Sequence, residues 1–228
     1  MGVKKKKEES TKLVSKILIV CVCVLFVGLM ILSGMGTGWL TIFTSVKSGD
    51  AVVIDYTLFD AAGKPIVTTE KSIYDQAVAQ GSVIFRSNRI TITANQTMEK
   101  PIYMIPLYVS NGGEVQQFAK QLALFSWEYN TVSSGIIGMK DNDQRRIVIP
   151  SNISMSQPFS AEQIDLNNIS VGDNFPGFVP DNSQKFANNT TTNTFLRIGE
   201  VANKSQDGIV VDFSYPVVNV KVVSINNR

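Results

Sequence analysis

The stretch Gly135–Pro150, GIIGMKDNDQRRIVIP, changes period part-way along, and that change sets the expectation for the fold. Gly135 to Met139 presents apolar side chains at a helix end. Asp141-Asn142-Asp143 is a turn cluster, and Asn tolerates the left-handed conformation such turns need. Arg145 to Ile149 then alternates polar and apolar residues, with Ile147 and Ile149 on one face, and Pro150 closes the run. The stretch therefore reads as helix, tight turn and amphipathic strand.

Upstream, apolar residues at Val115, Phe118, Leu122 and Phe125 have helical spacing, which predicts a helix over 114–129. Ser133-Ser134 is placed to cap a second short helix at Gly135–Met139. Further back, Ala51–Leu58 reads as a strand, Asp60–Lys64 as a hairpin turn and Pro65–Thr69 as the return strand. Val83–Thr93 and Ile102–Val109 also read as strands, with Asn111-Gly112-Gly113 as a turn. Downstream, residues 151–194 are rich in Asn, Ser, Thr, Gly and Pro. Strands resume over 194–201, 208–213 and 217–225.

The 228-residue chain has an uneven charge distribution. Six Lys stand against Glu8 and Glu9 in residues 1–16, and residues 17–46 carry no charge. The remainder holds fifteen Lys and Arg against seventeen Asp and Glu, with no basic stripe, which argues against nucleic-acid binding. There is no His, so histidine acid–base chemistry and His metal sites are excluded. Both cysteines, Cys21 and Cys23, lie in the apolar run, leaving no disulfide framework and no thiol nucleophile beyond it. Asp141-x-Asp143 lacks a calcium-loop pattern. No metal or cofactor is expected.

Residues 17–42 are long and apolar enough to predict a transmembrane helix, given the ~20 residues a crossing needs. An apolar core longer than the ~7–15 residues of a signal peptide favours an uncleaved anchor. The basic arm, residues 1–16, would remain cytoplasmic, placing the main domain outside a single-pass cell membrane protein. Six N-x-S/T sequons, at Asn95, Asn152, Asn168, Asn188, Asn189 and Asn203, would suit a glycoprotein.

Three segments then resemble one family, over about 180 residues. Gly49-Asp50-x-Val52-x-x-Asp55-Tyr56-Thr57, with Gly63 and Thr68-Thr69, is similar to the opening hairpin of FKBP-type peptidyl-prolyl isomerases. Gly138-Met139-Lys140 with Arg145 and Ile147-Val148-Ile149-Pro150 resembles their helix–turn–strand. Val171-Gly172, Asp207 to Pro216 and Val220 to Ile225 resemble the SlyD-like two-domain branch. The resemblance implies an α+β fold: an FKBP-like twisted antiparallel sheet around a short helix, preceded here by the transmembrane helix. Residues 47–150 would form the FKBP-like domain, with an insert at about 70–130. Residues 151–212 would form an inserted β-rich flap domain, and 213–228 a returning final strand.

By the same resemblance the chain would be a peptidyl-prolyl cis–trans isomerase (a rotamase) and folding chaperone. Its partners would be unfolded or proline-containing polypeptides. Rotation about an X–Pro bond opposes amide resonance, a barrier of ~18–20 kcal/mol, and needs a dry pocket rather than a nucleophile. Tyr56, Ile66, Val67, Val132 and Ile136 fall at the expected pocket positions, and Trp127, Tyr129, Phe175, Phe178 and Tyr215 at polypeptide-binding ones. The pattern departs at the pocket: aliphatic Ile66-Val67 replaces an expected Phe-Asp, Val132 replaces an aromatic, and Ser214-Tyr215-Pro216 replaces Asn-His-Pro. Those departures leave open a non-catalytic FKBP-like module that binds polypeptide or another subunit.

Overall fold

The computed structural model describes residues 16, 18–31, 33, 44–111, 114–150, 155–180 and 194–226. The chain divides into two units, Met1–Thr44 and Ser45–Arg228.

In the first unit, residues 18–31 form helix α1. Among the described residues no helix is long and apolar enough to cross a membrane. The expected transmembrane helix over 17–42, and the single-pass placement built on it, are therefore corrected. Residues 1–15 and 34–43 lie outside the described residues.

The second unit is mostly β, with two helices, α2 (Lys71–Ala79) and α3 (Ser126–Gly135). Its strands are β1 (Ala51–Phe59), β2 (Pro65–Thr68), β3 (Phe85–Arg86), β4 (Ile90–Thr93), β5 (Ile102–Ile105), β6 (Tyr108–Asn111) and β7 (Glu114–Gln117). They continue with β8 (Leu122–Phe125), β9 (Gln144–Val148), β10 (Ser156–Ser160), β11 (Asn174–Pro180), β12 (Thr194–Lys204), β13 (Gly208–Asp212) and β14 (Val217–Asn226). The first sheet has eight strands in the order β7-β6-β3-β2-β1-β14-β9, with β4 also on β1. The second has six, β10-β13-β12-β8-β5, with β11 also on β12. Each sheet contains one parallel pairing, β2 with β3 and β12 with β8. The expected α+β class, a single antiparallel sheet wrapped on a helix with a separate flap, is thus replaced by two mixed sheets. β5 and β8, from the 70–130 insert, lie in the same sheet as β10–β13 from residues 151–212.

The helix predicted over 114–129 is instead β7, β8 and the first turn of α3. Leu122-Ala123-Leu124-Phe125 is buried on every side chain, and a short all-apolar run has no alternation to separate strand from helix. The structure shows why it is uniformly apolar. Leu122 and Leu124 face the core under the first sheet, whereas Ala123 and Phe125 face a second core within the other sheet. In the same way β12 sends Leu196 and Ile198 to the first core and Val201 to the second. The chain 71–79, left unassigned by the sequence pattern, is helical and buries only Tyr74 and Ala77.

Around Gly135–Pro150 the local reading is close to the structure. The helix precedes Gly135 rather than following it. Gly138 and Asn142 take the left-handed conformation, at φ 77° and 66°. Asp143 Oδ2 accepts from Lys140 N at 2.8 Å to close the turn. Gly135 is required by close approach, since a Cβ there would lie 2.8 Å from Ile147 Cδ1 of β9. Arg145 Nη1 donates to the carbonyls of Gly135 and Ile137, satisfying the α3 C-terminus.

One buried ion pair joins these elements. Arg197 on β12 and Glu128 on α3 are both fully buried. Arg197 Nη1 and Nη2 donate to the two carboxylate oxygens of Glu128. Its Nε donates to Phe213 O at 2.8 Å, and Nη1 also to Ala123 O at 3.0 Å. The guanidinium lies between the rings of Phe125 and Tyr215, 4.5 and 4.1 Å from their centroids. Glu128 Oε2 also accepts from Phe125 N at 2.9 Å, supplying the carboxylate arm of a helix N-terminal cap. Removing one partner leaves an uncompensated buried charge. Glu128→Ala or Arg197→Met is therefore expected to cost about 3–5 kcal/mol of unfolding free energy in urea titrations. Arg145→Ala, at an exposed capping position, is expected to cost about 1 kcal/mol.

Candidate functional site

The five expected pocket residues arrive from three elements. Tyr56 is on β1, Ile66 and Val67 are on β2, Val132 lies in α3, and Ile136 follows α3. All five belong to one core cluster, and none is more than 3% exposed. The hairpin register explains part of this: Leu58 faces Val67, and Thr57 faces Thr68. Tyr56 N donates to Thr69 Oγ1 at 2.9 Å, which anchors the strand at the tyrosine. Ser133 ties α3 to the end of β4, its hydroxyl donating to Thr93 O at 2.8 Å and accepting from Gln96 N at 3.0 Å.

The Tyr56 phenol is buried and its oxygen has no hydrogen-bond partner. Burial is the main cause of its raised pKa; the Ser87 hydroxyl, which is close enough to act on the phenol but directs its own proton to Pro106 O at 2.9 Å, opposes the rise, and Tyr103 adds to it. Tyr103 of β5 packs on Tyr129 of α3, with ring centroids 4.9 Å apart, and burial raises both phenols as well. Partly buried Phe85, Tyr103, Trp127 and Phe178 pack against the same cluster. The result is an aliphatic and tyrosyl interior with an aromatic margin drawn from β3, β5, α3 and β11.

The residues expected to bind polypeptide separate into different settings. Tyr129 and Phe178 are at this margin, and Trp127 bridges the first and second cores. Phe175 is elsewhere, packed at a tilt against Phe159 with centroids 4.9 Å apart at the second core. Tyr215 is 1% exposed. Its hydroxyl donates to Ile198 O at 3.0 Å and accepts from Ile198 N at 3.1 Å. Burial pushes its pKa up to about 12. Phe118 packs edge-on to Phe85, 5.3 Å between centroids. Sequence reasoning did not single out Tyr103, Phe85 or Ser87. Tyr103 sits in an alternating strand, where its role depends on which strand pairs with it. Three of the sequon asparagines, Asn95, Asn168 and Asn203, are exposed, while Asn152, Asn188 and Asn189 lie outside the described residues.

A second polar feature joins the β1–β2 turn to the second sheet. Lys64 Nζ donates to Gly172 O at 2.7 Å, and Asp60 Oδ1 accepts from Lys64 N at 2.7 Å. Asp60 Oδ2 is buried without a partner. Burial raises the pKa of Asp60 against its bonds from Lys64 and the turn backbone. Burial and the Asp60 charge raise that of Glu200 on β12. Among the described residues no group of three or more acidic or thiol side chains is arranged to hold a metal ion.

No family model matches this chain, and no curated protein matches it.

The two raised carboxyls set a pH dependence. A carboxyl whose pKa is higher folded than unfolded binds its proton more tightly in the folded state, so it contributes stability at low pH and loses it as pH rises through the folded value. Asp60 and Glu200 are thus expected to lower the melting temperature as pH rises above the ordinary carboxyl range of about 4. Asp60→Asn with Glu200→Gln should flatten that fall in differential scanning calorimetry.

Proposed function

We propose that this chain is a peptidyl-prolyl cis–trans isomerase and folding chaperone, of the FKBP type its sequence resembles. The observation that carries this reading is the Tyr56 hydroxyl, a buried donor with no partner, set in the apolar cluster of Ile66, Val67, Val132 and Ile136. X–Pro rotation asks for little more. An apolar surround favours the twisted, less resonant amide over the planar one. A single donor that finds its acceptor only when substrate is bound contributes to the barrier rather than to the resting protein. The absence of His and of cysteine beyond the apolar run is no obstacle, because no bond is broken. The aromatic margin of Tyr103, Trp127 and Phe178 suits proline rings and other apolar side chains of an unfolded client.

A specific observation favours a second reading, a non-catalytic module that binds polypeptide or another subunit. The five pocket positions are at most 3% exposed, so the marginal aromatics must give way before a prolyl ring can enter. Under this reading the chain slows aggregation of a misfolded client without accelerating isomerisation.

Protease-coupled isomerisation of an X–Pro peptide by the full chain separates the two. Catalysis above the buffer rate is expected. Tyr56→Phe should lower kcat/KM about two- to tenfold, the worth of one hydrogen bond, while leaving the melting temperature equal or higher. A rate equal to buffer removes the isomerase reading, and protection of the client from aggregation would then support the second.

A further inference from the structure

The first sheet has a second face, turned away from its core. Along β14, Val218, Val220 and Val222 are buried, so Asn219 and Lys221 point the other way. The register places Arg146 opposite Asn219 and Gln144 opposite Lys221. These four side chains, with Glu70 and Ile73 at the start of α2, line a groove of about 370 Å³; Arg145 borders it, but its guanidinium caps α3 on the other face of β9. Two cations, Arg146 and Lys221, therefore face one carboxylate, Glu70. The next acidic group along the register, Asp55 opposite Lys221, is taken up by Arg89 at 3.0 Å. At the groove the Asn219 side-chain oxygen is buried and has no partner. An unpartnered buried acceptor is destabilising, and a donor from a ligand removes that cost. β9, which carries Arg145 and Arg146, ends the strand order of the sheet.

The geometry points to this groove as the docking site of an extended acidic polypeptide segment. An extended peptide brings the complementary chemistry. Its backbone N–H groups are donors of the kind Asn219 lacks. Carboxylates on alternate residues, which share one face of a strand, meet Arg146 and Lys221. Among the described residues no strand pairs the far edge of β9, which leaves it for main-chain pairing beside them. The remainder of the chain beyond residue 46 carries more acidic than basic residues, so the cations at this groove stand against the general charge. This site rests on the polypeptide-handling function proposed above, and it supplies that function with a charge preference separate from the prolyl pocket.

The test is fluorescence anisotropy with the full chain and a fluorescein-labelled, proline-free peptide of alternating Glu and Ala. Saturable binding that weakens with added salt is expected, with little binding of the matching Lys and Ala peptide. Arg146→Glu with Lys221→Glu should weaken binding at least about tenfold, and should leave X–Pro isomerisation at the wild-type rate. Lys221→Gln alone, a milder change, should weaken it measurably if the double variant does not fold. Equal binding of both peptides, unchanged affinity in the folded variants, or complete displacement by millimolar inorganic phosphate overturns the proposal. Because the peptide lacks proline, loss of the isomerase reading leaves this outcome unaffected, and loss of this binding leaves the isomerase assay unaffected.

Discussion

The Arg197–Glu128 pair is the constraint on which the 45–228 unit depends. Burying a guanidinium and a carboxylate together costs several kcal/mol of desolvation per ion, and only near-complete hydrogen bonding offsets it. Here the guanidinium spends its bonds on Glu128, Ala123 O and Phe213 O, and its faces on Phe125 and Tyr215. Burial by itself would lower the Arg197 pKa, and the Glu128 charge and hydrogen bonds, with Tyr215 and Asp212, together more than reverse that. The pair fixes β12, β8, α3 and the segment after β13 at one point. An apolar replacement would hold those elements together without dictating their register.

Much of the architecture follows from that junction. Because α3 starts where the second sheet is pinned, its far end meets β9 of the first sheet, where Gly135 clears Ile147. β8 and β12 are covered on both faces, so the two cores lie on either side of a shared set of strands. Phe125 and Tyr215 have their rings committed to the cation. They contribute to the junction, and the aromatic surface near Tyr56 comes instead from Tyr103, Trp127 and Phe178.

The two proposed sites divide along the two faces of the first sheet. The inner face holds the unpartnered phenol of Tyr56 among aliphatic side chains, a setting that acts on a neutral imide. The outer face holds cations and the unpartnered amide of Asn219, a setting that acts on charge and main chain. β14 supplies both, through Val218 and Val220 on one side and Asn219 and Lys221 on the other. A polypeptide client has chemistry for each, and the strand alternation keeps the two separate.

Local chemistry was legible in the sequence wherever one residue type has few alternatives. Asn142 announced its turn, the Asp60–Lys64 hairpin was visible from its residues, and alternating β9 and β14 could be read from period alone. The lack of His and the confinement of Cys removed whole classes of catalysis. The all-apolar β8 looked helical because burial on two faces erases the period that marks a strand. The apolar run at 17–42 looked long enough to cross a bilayer because hydropathy counts residues, whereas among the described residues no helix is long and apolar enough to do so. Of the candidate site, Tyr56, Ile66, Val67, Val132 and Ile136 lie in one core cluster, and their near-complete burial was not legible in the sequence. Tyr103 entered the site only because β5 pairs with β8, and Arg197 found Glu128 across 69 residues of sequence. Sequence by itself determined the turns, the strand faces and the chemistry that is excluded. Tertiary structure decided which apolar residues are sealed, which polar atoms go unpaired and which charges are matched, because those depend on what arrives from distant parts of the chain.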